Sequence, residues 1–120
     1  MNEQRMVSSA QLYKRLGVSP AELEAFCDCT PITELAFFGS VLQDTFHPDS
    51  DIDILIVLAP NHGMGLFDFF ALEDQFKELF QRDVDLLEKE MAEKDHNWIR
   101  RQEILNNTQV VYESRRILSA

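Results

Sequence analysis

Residues 35–58 read LAFFGS-VLQDTFHPDS-DIDILIVL. An apolar run ends in Gly39-Ser40, ten residues intervene, and Asp51-Ile52-Asp53 opens a second apolar run. A strand points residues i and i+2 to one face. Asp51 and Asp53 are therefore expected to point together, with Ile52 opposed. Two carboxylates that close repel by ~2–3 kcal/mol at an effective dielectric near ~20. A cation between them removes the repulsion, and the glycine turn upstream suits a phosphate. Metal plus phosphate points to nucleotidyl transfer.

Outward from this stretch, the spacing predicts a short buried strand over 34–38 that Gly39 breaks. Residues 41–47 read as a short helix or turn, and His47-Pro48-Asp49-Ser50 as a turn. Asp51 to Leu58 reads as a strand apolar on both faces, hence central or tightly packed. Upstream, Ser8 and Gln11 frame a capping box for a helix to Leu16, stopped by Gly17. Ser19, Pro20 and Glu22 start a second helix that ends near Thr30-Pro31. Downstream, Leu66 to Phe80 is an amphipathic helix. Leu66, Phe69, Phe70, Phe76 and Phe80 are its expected core stripe, widened by Leu72 and Leu79. Asp83 to Glu88 is a third strand, Asn97 to Thr108 a last helix, and Gln109 to Tyr112 a final strand or tail. The order α-α-β-β-α-β-α predicts an α/β (α+β) fold, a small mixed sheet with helices packed on it. We expect one domain over 1–120: N-terminal helices to residue 30, a core over 31–113, and a tail over 114–120.

The chain has 120 residues, enough for one compact domain, and 45% hydrophobic content supports a real core. No apolar run reaches the ~20 residues that span a bilayer. The start, MNEQRMVSSAQLYKR, has no apolar h-region. Cys27 and Cys29 diverge on a predicted helix and read as reduced thiols. Together these features predict a cytoplasmic protein without a membrane. The net charge of −10 argues against a broad phosphate-tracking surface for DNA or RNA. It is compatible with a nucleoside triphosphate carrying magnesium, and it suits a basic protein partner. Leu12 to Phe26 looks like a helix-turn-helix, but its second helix carries Glu22, Glu24 and Asp28 without Lys or Arg. We expect it to pack on the sheet or a partner, not to read DNA.

Transfer of a nucleotidyl group requires a held triphosphate, neutralised charge and an attacking hydroxyl in line. Gly39 lacks a Cβ, so its backbone can approach phosphate closely. Ser40 adds a hydroxyl and an N–H. Asp51 and Asp53 are oxygen ligands of the kind Mg²⁺ prefers. A third carboxylate on a neighbouring strand would complete a two-metal site, and Asp85 is the candidate. Asp83 shares its face but lies nearer the loop. Gly-Ser and Asp-x-Asp at this separation arise by chance in on the order of one chain in a thousand.

GSVLQDTFHPDSDIDILIVL resembles the minimal nucleotidyltransferases of the DNA polymerase beta superfamily, whose signature is GS-x9-or-10-DxD. The resemblance extends through GLFDFFALEDQFKELF, RDVDLLEKE and HNWIRRQEILNNTQVVYE, roughly residues 10–113. It implies a palm-like nucleotidyltransferase fold, Mg²⁺ as two ions, and ATP as substrate. Gly39 and Ser40 match the phosphate turn, Asp51 and Asp53 the metal pair, and Asp85 the third carboxylate. Gln43, also assigned to nucleotide binding, departs from relatives that often carry Arg there, which removes a cation beside the triphosphate. Many members are antitoxins paired with an all-helical HEPN-domain toxin, and some attach AMP to a toxin tyrosine (AMPylation). The short chain has no room for the small-acceptor domain of antibiotic-modifying relatives, so a partner protein is the expected acceptor. Homo- and hetero-oligomers are both compatible with this.

Other residues have plainer readings. His47, His62 and His96 lack metal-spaced partners and read as surface residues. Arg100-Arg101 and Arg115-Arg116 read as solvated charges, with contact to the nucleotide or an acidic partner as the alternative. A competing function is a binding module that keeps the fold and neutralises a partner by contact, which Gln43 favours. A DNA-binding regulator acting through residues 12–26 is the third reading.

Overall fold

The computed structural model describes residues 7–114. Arg115, Arg116 and the rest of the expected tail beyond Ser114 lie outside the described residues. Helix α1 spans Ser9–Leu16 and α2 spans Pro20–Asp28. Ser8 Oγ accepts from Gln11 N at 3.2 Å, and Gly17 ends α1 at φ +75°. The expected box closes α2: Ser19 Oγ accepts from Glu22 N, and Glu22 Oε1 accepts from Ser19 N at 2.7 Å. Both helices bury their apolar sides, Leu12, Leu16, Leu23 and Cys27, in the main core. Glu22, Glu24 and Asp28 face solvent, so the helix-turn-helix look-alike is a packing element. Burial pushes the Cys27 thiol up to about 12, and both cysteines are free.

Strands β1 (Ile32–Phe38), β2 (Ile52–Leu58), β3 (Val84–Glu88) and β4 (Thr108–Glu113) form one sheet in the order β3-β2-β1-β4. β2 is internal, as its two-sided apolar pattern requires. It runs antiparallel to β1 and parallel to β3. β1 begins two residues earlier than expected, and the last strand is a full antiparallel partner of β1, not a tail. Edge pairing with β1 satisfies backbone groups that polar sequence alone does not advertise.

Helix α3 has the expected bounds, Leu66–Phe80. Its stripe is only partly core. Leu72, Phe76 and Phe80 are buried, but Leu66 is 66% and Phe70 49% exposed. Periodicity marks a face; burial also needs an opposing surface, and among the described residues none covers the first turn. Two short helices follow β3: α4 (Lys89–Glu93), which the sequence did not suggest, and α5 (Trp98–Asn106). Asn97 caps α5 rather than lying within it, its Oδ1 accepting from Arg100 N at 3.2 Å.

The sheet is covered on both faces. α1, α2 and α3 pack with Leu35, Phe37, Ile54 and Leu86 into the larger cluster. On the other face Ala92 of α4 and Ile104 of α5 pack with Ala36, Phe38 and Leu55. Among the described residues no helix is long and apolar enough to cross a membrane.

Candidate active site

The face under α4 and α5 carries the carboxylates. Asp53 is the second residue of β2, two before Leu55, so it shares Leu55's face. In register it stands opposite Phe38 on β1 and Asp85 on β3. Ladder partners point the same way, so Asp85 stands beside Asp53 across the parallel pair. Asp83 lies ahead of β3, where its carbonyl accepts from Ile52 N at 3.0 Å.

Gly39 sits at the end of β1 with φ +76°, and a Cβ there would be driven into Asp53 Oδ2. The missing side chain is thus the space that the Asp53 carboxylate occupies. Gly39 also opens a four-residue 3₁₀ turn, Gly39–Leu42, shorter than the helix or turn expected over 41–47. A turn this brief supplies individual N–H groups, not a helix dipole. Ser40 is half-buried, and its carbonyl accepts from Gln43 N at 2.9 Å.

Burial, then Asp85, then Asp51 push the Asp53 carboxyl from 3.8 up to about 6. The order of causes matches the geometry. Asp51 precedes β2 instead of opening it, and it is exposed. It lines a separate cleft of about 220 Å³ with Arg82 and Asp83. The strand alternation expected to align Asp51 with Asp53 starts one residue too late to govern Asp51. Among the described residues the ion pairs are Lys89–Glu34, Lys94–Glu90 and Arg100–Asp95. None neutralises the three aspartates. As posed, no three His, Cys, Asp or Glu side chains among the described residues are gathered tightly enough to hold a metal. The donor chemistry still suits a hard divalent cation: oxygen ligands only, with repulsion that such an ion relieves. Asp53 with Asp85 is the pair that could hold it.

A cavity of about 460 Å³ opens beside Asp53. Phe38, Gly39, Gln43 and Asp53 line one side, and Arg100, Glu103, Ile104 and Asn107 of α5 line the other. This volume is in the range of small-molecule sites, roughly 300–1,000 Å³. A cavity of about 700 Å³ runs along the end of α3 past Asp83, but it touches neither Gly39 nor Asp53. Gln43 lines the cavity. The α5 wall was not legible as such, because its residues meet the site only through the packing of Ile104. The signal present in the sequence was the pair Arg100-Arg101.

Two guanidiniums fix the loop between the Gly-Ser turn and the aspartates. Arg15 Nη1 donates to the carbonyls of Val41 and Gln43 at 3.0 and 2.6 Å. Arg82 Nη1 donates to those of His47, Pro48 and Ser50 at 3.1, 3.2 and 2.8 Å. Both also lie over the Phe46 ring, at 5.2 and 4.5 Å from its centroid. Neither arginine was singled out from the sequence, since each acts on backbone remote in the chain. His47, His62 and His96 are exposed, as expected.

Comparison with known proteins agrees with this geometry. The nucleotidyltransferase domain model matches residues 23–111. Similar solved structures include a toxin–antitoxin complex with AMP-PNP, 18% identical with TM-score 0.62, covering 83% of this chain and 77% of that one. A candidate minimal nucleotidyltransferase is 20% identical with TM-score 0.61, covering 86% and 98%. The toxin–antitoxin MntA–HepT is 14% identical with TM-score 0.52, covering 92% and 76%. At these identities the likeness is one of fold. No curated protein sequence matches.

Proposed function

Because the chain belongs to the nucleotidyltransferase domain family, we propose that it transfers AMP from ATP to a hydroxyl of a partner protein, as the antitoxin of a HEPN-type toxin pair. The observation that carries the reading is Asp53, which lines a cavity of about 460 Å³, is set into the gap that Gly39 leaves, and has Asp85 as its partner on β3. The antitoxin context is supported by folds shared with toxin–antitoxin complexes, one of them with AMP-PNP.

In this reading the backbone N–H groups of the Gly39 turn and of Ser40 receive the triphosphate, while the space a Cβ would fill holds the Asp53 carboxylate. Asp53 and Asp85, joined by Asp51 if the loop ahead of β2 turns it inward, would hold Mg²⁺, and the ion when bound would supply charge neutralisation at the phosphates. The acceptor oxygen forms a bond to the α-phosphorus, the bond from that phosphorus to the bridging oxygen of the β-phosphate breaks, and pyrophosphate leaves. The acceptor's proton passes to Asp85, the more exposed carboxylate of the adjacent pair. The product is a phosphodiester of AMP with the partner's side chain.

The test is transfer of labelled AMP from ATP to the product of the neighbouring gene, with Mg²⁺ present. Labelling is expected with the wild-type protein and lost with Asp51→Asn plus Asp53→Asn. Equal labelling by the double variant would overturn the reading.

A second reading, neutralisation by contact alone, is favoured by the apolar residues at the start of α3. Leu66, Phe67 and Phe70 are exposed there, and Leu66 lines an apolar groove with Met64, Phe69 and Met91. A complex that survives the double aspartate change but is broken by Phe67→Ser supports this second reading.

A further inference from the structure

The cavity beside Asp53 has a second wall, and α5 supplies it. Arg100, Glu103, Ile104 and Asn107 line it, and steps of three and four residues put them on one helix face. Ile104 is buried with Ala36, Phe38 and Leu55, which seats that face against the sheet surface carrying Asp53. Among the lining residues Arg100 is the lone Lys or Arg. The neighbouring polar position on the opposite wall, Gln43, is uncharged.

Arg100 is not committed elsewhere. Its Nε lies 3.8 Å from Asp95 Oδ2, with the arginine side chain 56% exposed. A pair so long and so exposed contributes little. Asp95 has other bonds: its Oδ1 accepts from Asn97 N at 2.9 Å, and its carbonyl accepts from Arg101 at 3.0 Å. The guanidinium can change partners without unmaking the turn into α5.

We propose that Arg100 is a nucleotide-binding residue. It takes up phosphate charge of a nucleoside triphosphate seated against the Gly39 turn, a role that Gln43 lacks the charge to fill. The weak pair with Asp95 is given up when the nucleotide enters. A planar guanidinium binds phosphate through paired N–H groups, so α5 contributes more than a cover to the site. The proposal rests on reading this cavity as the triphosphate site.

The experiment measures binding of ATP with Mg²⁺ to the full chain by calorimetry, with no acceptor present. Arg100→Ala is expected to weaken binding ~10-fold or more, Arg100→Lys to recover part of the loss, and Asp95→Asn to leave binding nearly unchanged. The melting temperature without ligand is expected to stay unchanged in all three. Equal ATP affinity in wild type and Arg100→Ala overturns the proposal and leaves the proposed function standing. A loss that comes with a lowered melting temperature without ligand assigns Arg100 to structure and also overturns it. Absence of ATP binding by the wild-type protein overturns both.

Discussion

At Asp53, burial and two neighbouring carboxylates push one proton equilibrium in the same direction, up to about 6. The folded state therefore binds that proton more tightly than the unfolded chain. Its stabilising contribution is fully present below about pH 4 and lost as pH rises through about 6. Asp53→Asn should then raise the melting temperature by a few degrees at pH 8, about 1 kcal/mol after discounting for solvent screening, and leave it unchanged at pH 4. Thermal melts at the two pH values check this, and a variant no more stable at pH 8 would refute it. Gly39 is a second sensitive residue. Its φ of +76° strains any L-residue by ~1–2 kcal/mol, and a methyl group would displace the Asp53 carboxylate. Gly39→Ala should lower stability by about that amount and abolish ATP binding, read by melting and calorimetry. The Gly-Ser and Asp-x-Asp elements were visible in the sequence because each is local. That Gly39 and Asp53 touch was not, since thirteen residues separate them and only the antiparallel register of β1 and β2 closes the gap.

Among the elements, the loop between the 3₁₀ turn and β2 is held from outside itself. Arg82, at the turn into β3, donates to three of its carbonyls just ahead of Asp51. Arg82→Ala should cost about 1 kcal/mol in stability and speed amide exchange over residues 47–51, measured by hydrogen–deuterium exchange. An unchanged exchange rate there would show that the loop holds its own shape. The caps of α1 and α2 and the bounds of α3 were legible, because capping and periodicity act within a few residues. The short α4 was not, because five residues, Lys89–Glu93, hold too little pattern and form where β3 ends and Ala92 finds the sheet. Leu66 and Phe70 show the reverse case: the pattern was read, but burial depends on a partner surface outside the helix.

For the whole molecule, three aspartates concentrate charge at one end of a sheet in a chain of net charge −10. A ligand that binds only the folded state stabilises it by RT ln(1 + [L]/Kd), ~2.7 kcal/mol at a hundredfold excess over Kd. ATP with Mg²⁺ should therefore raise the melting temperature by several degrees, and ATP with excess chelator by much less. Equal shifts with and without the metal would remove Mg²⁺ from the proposed site. The sequence alone determined the fold class, the caps of α1 and α2 and the bounds of α3, because caps, alternation and turns are short-range physics. Tertiary structure decided which carboxylates meet and what stands opposite them. Strand register set Asp85 beside Asp53 and left Asp83 with Asp51 at another cleft. Packing of Ile104 carried Arg100 to the far wall. Such contacts join residues some 30 to 70 positions apart, and they form only when burial of both sheet faces offsets the chain entropy lost in bringing them together.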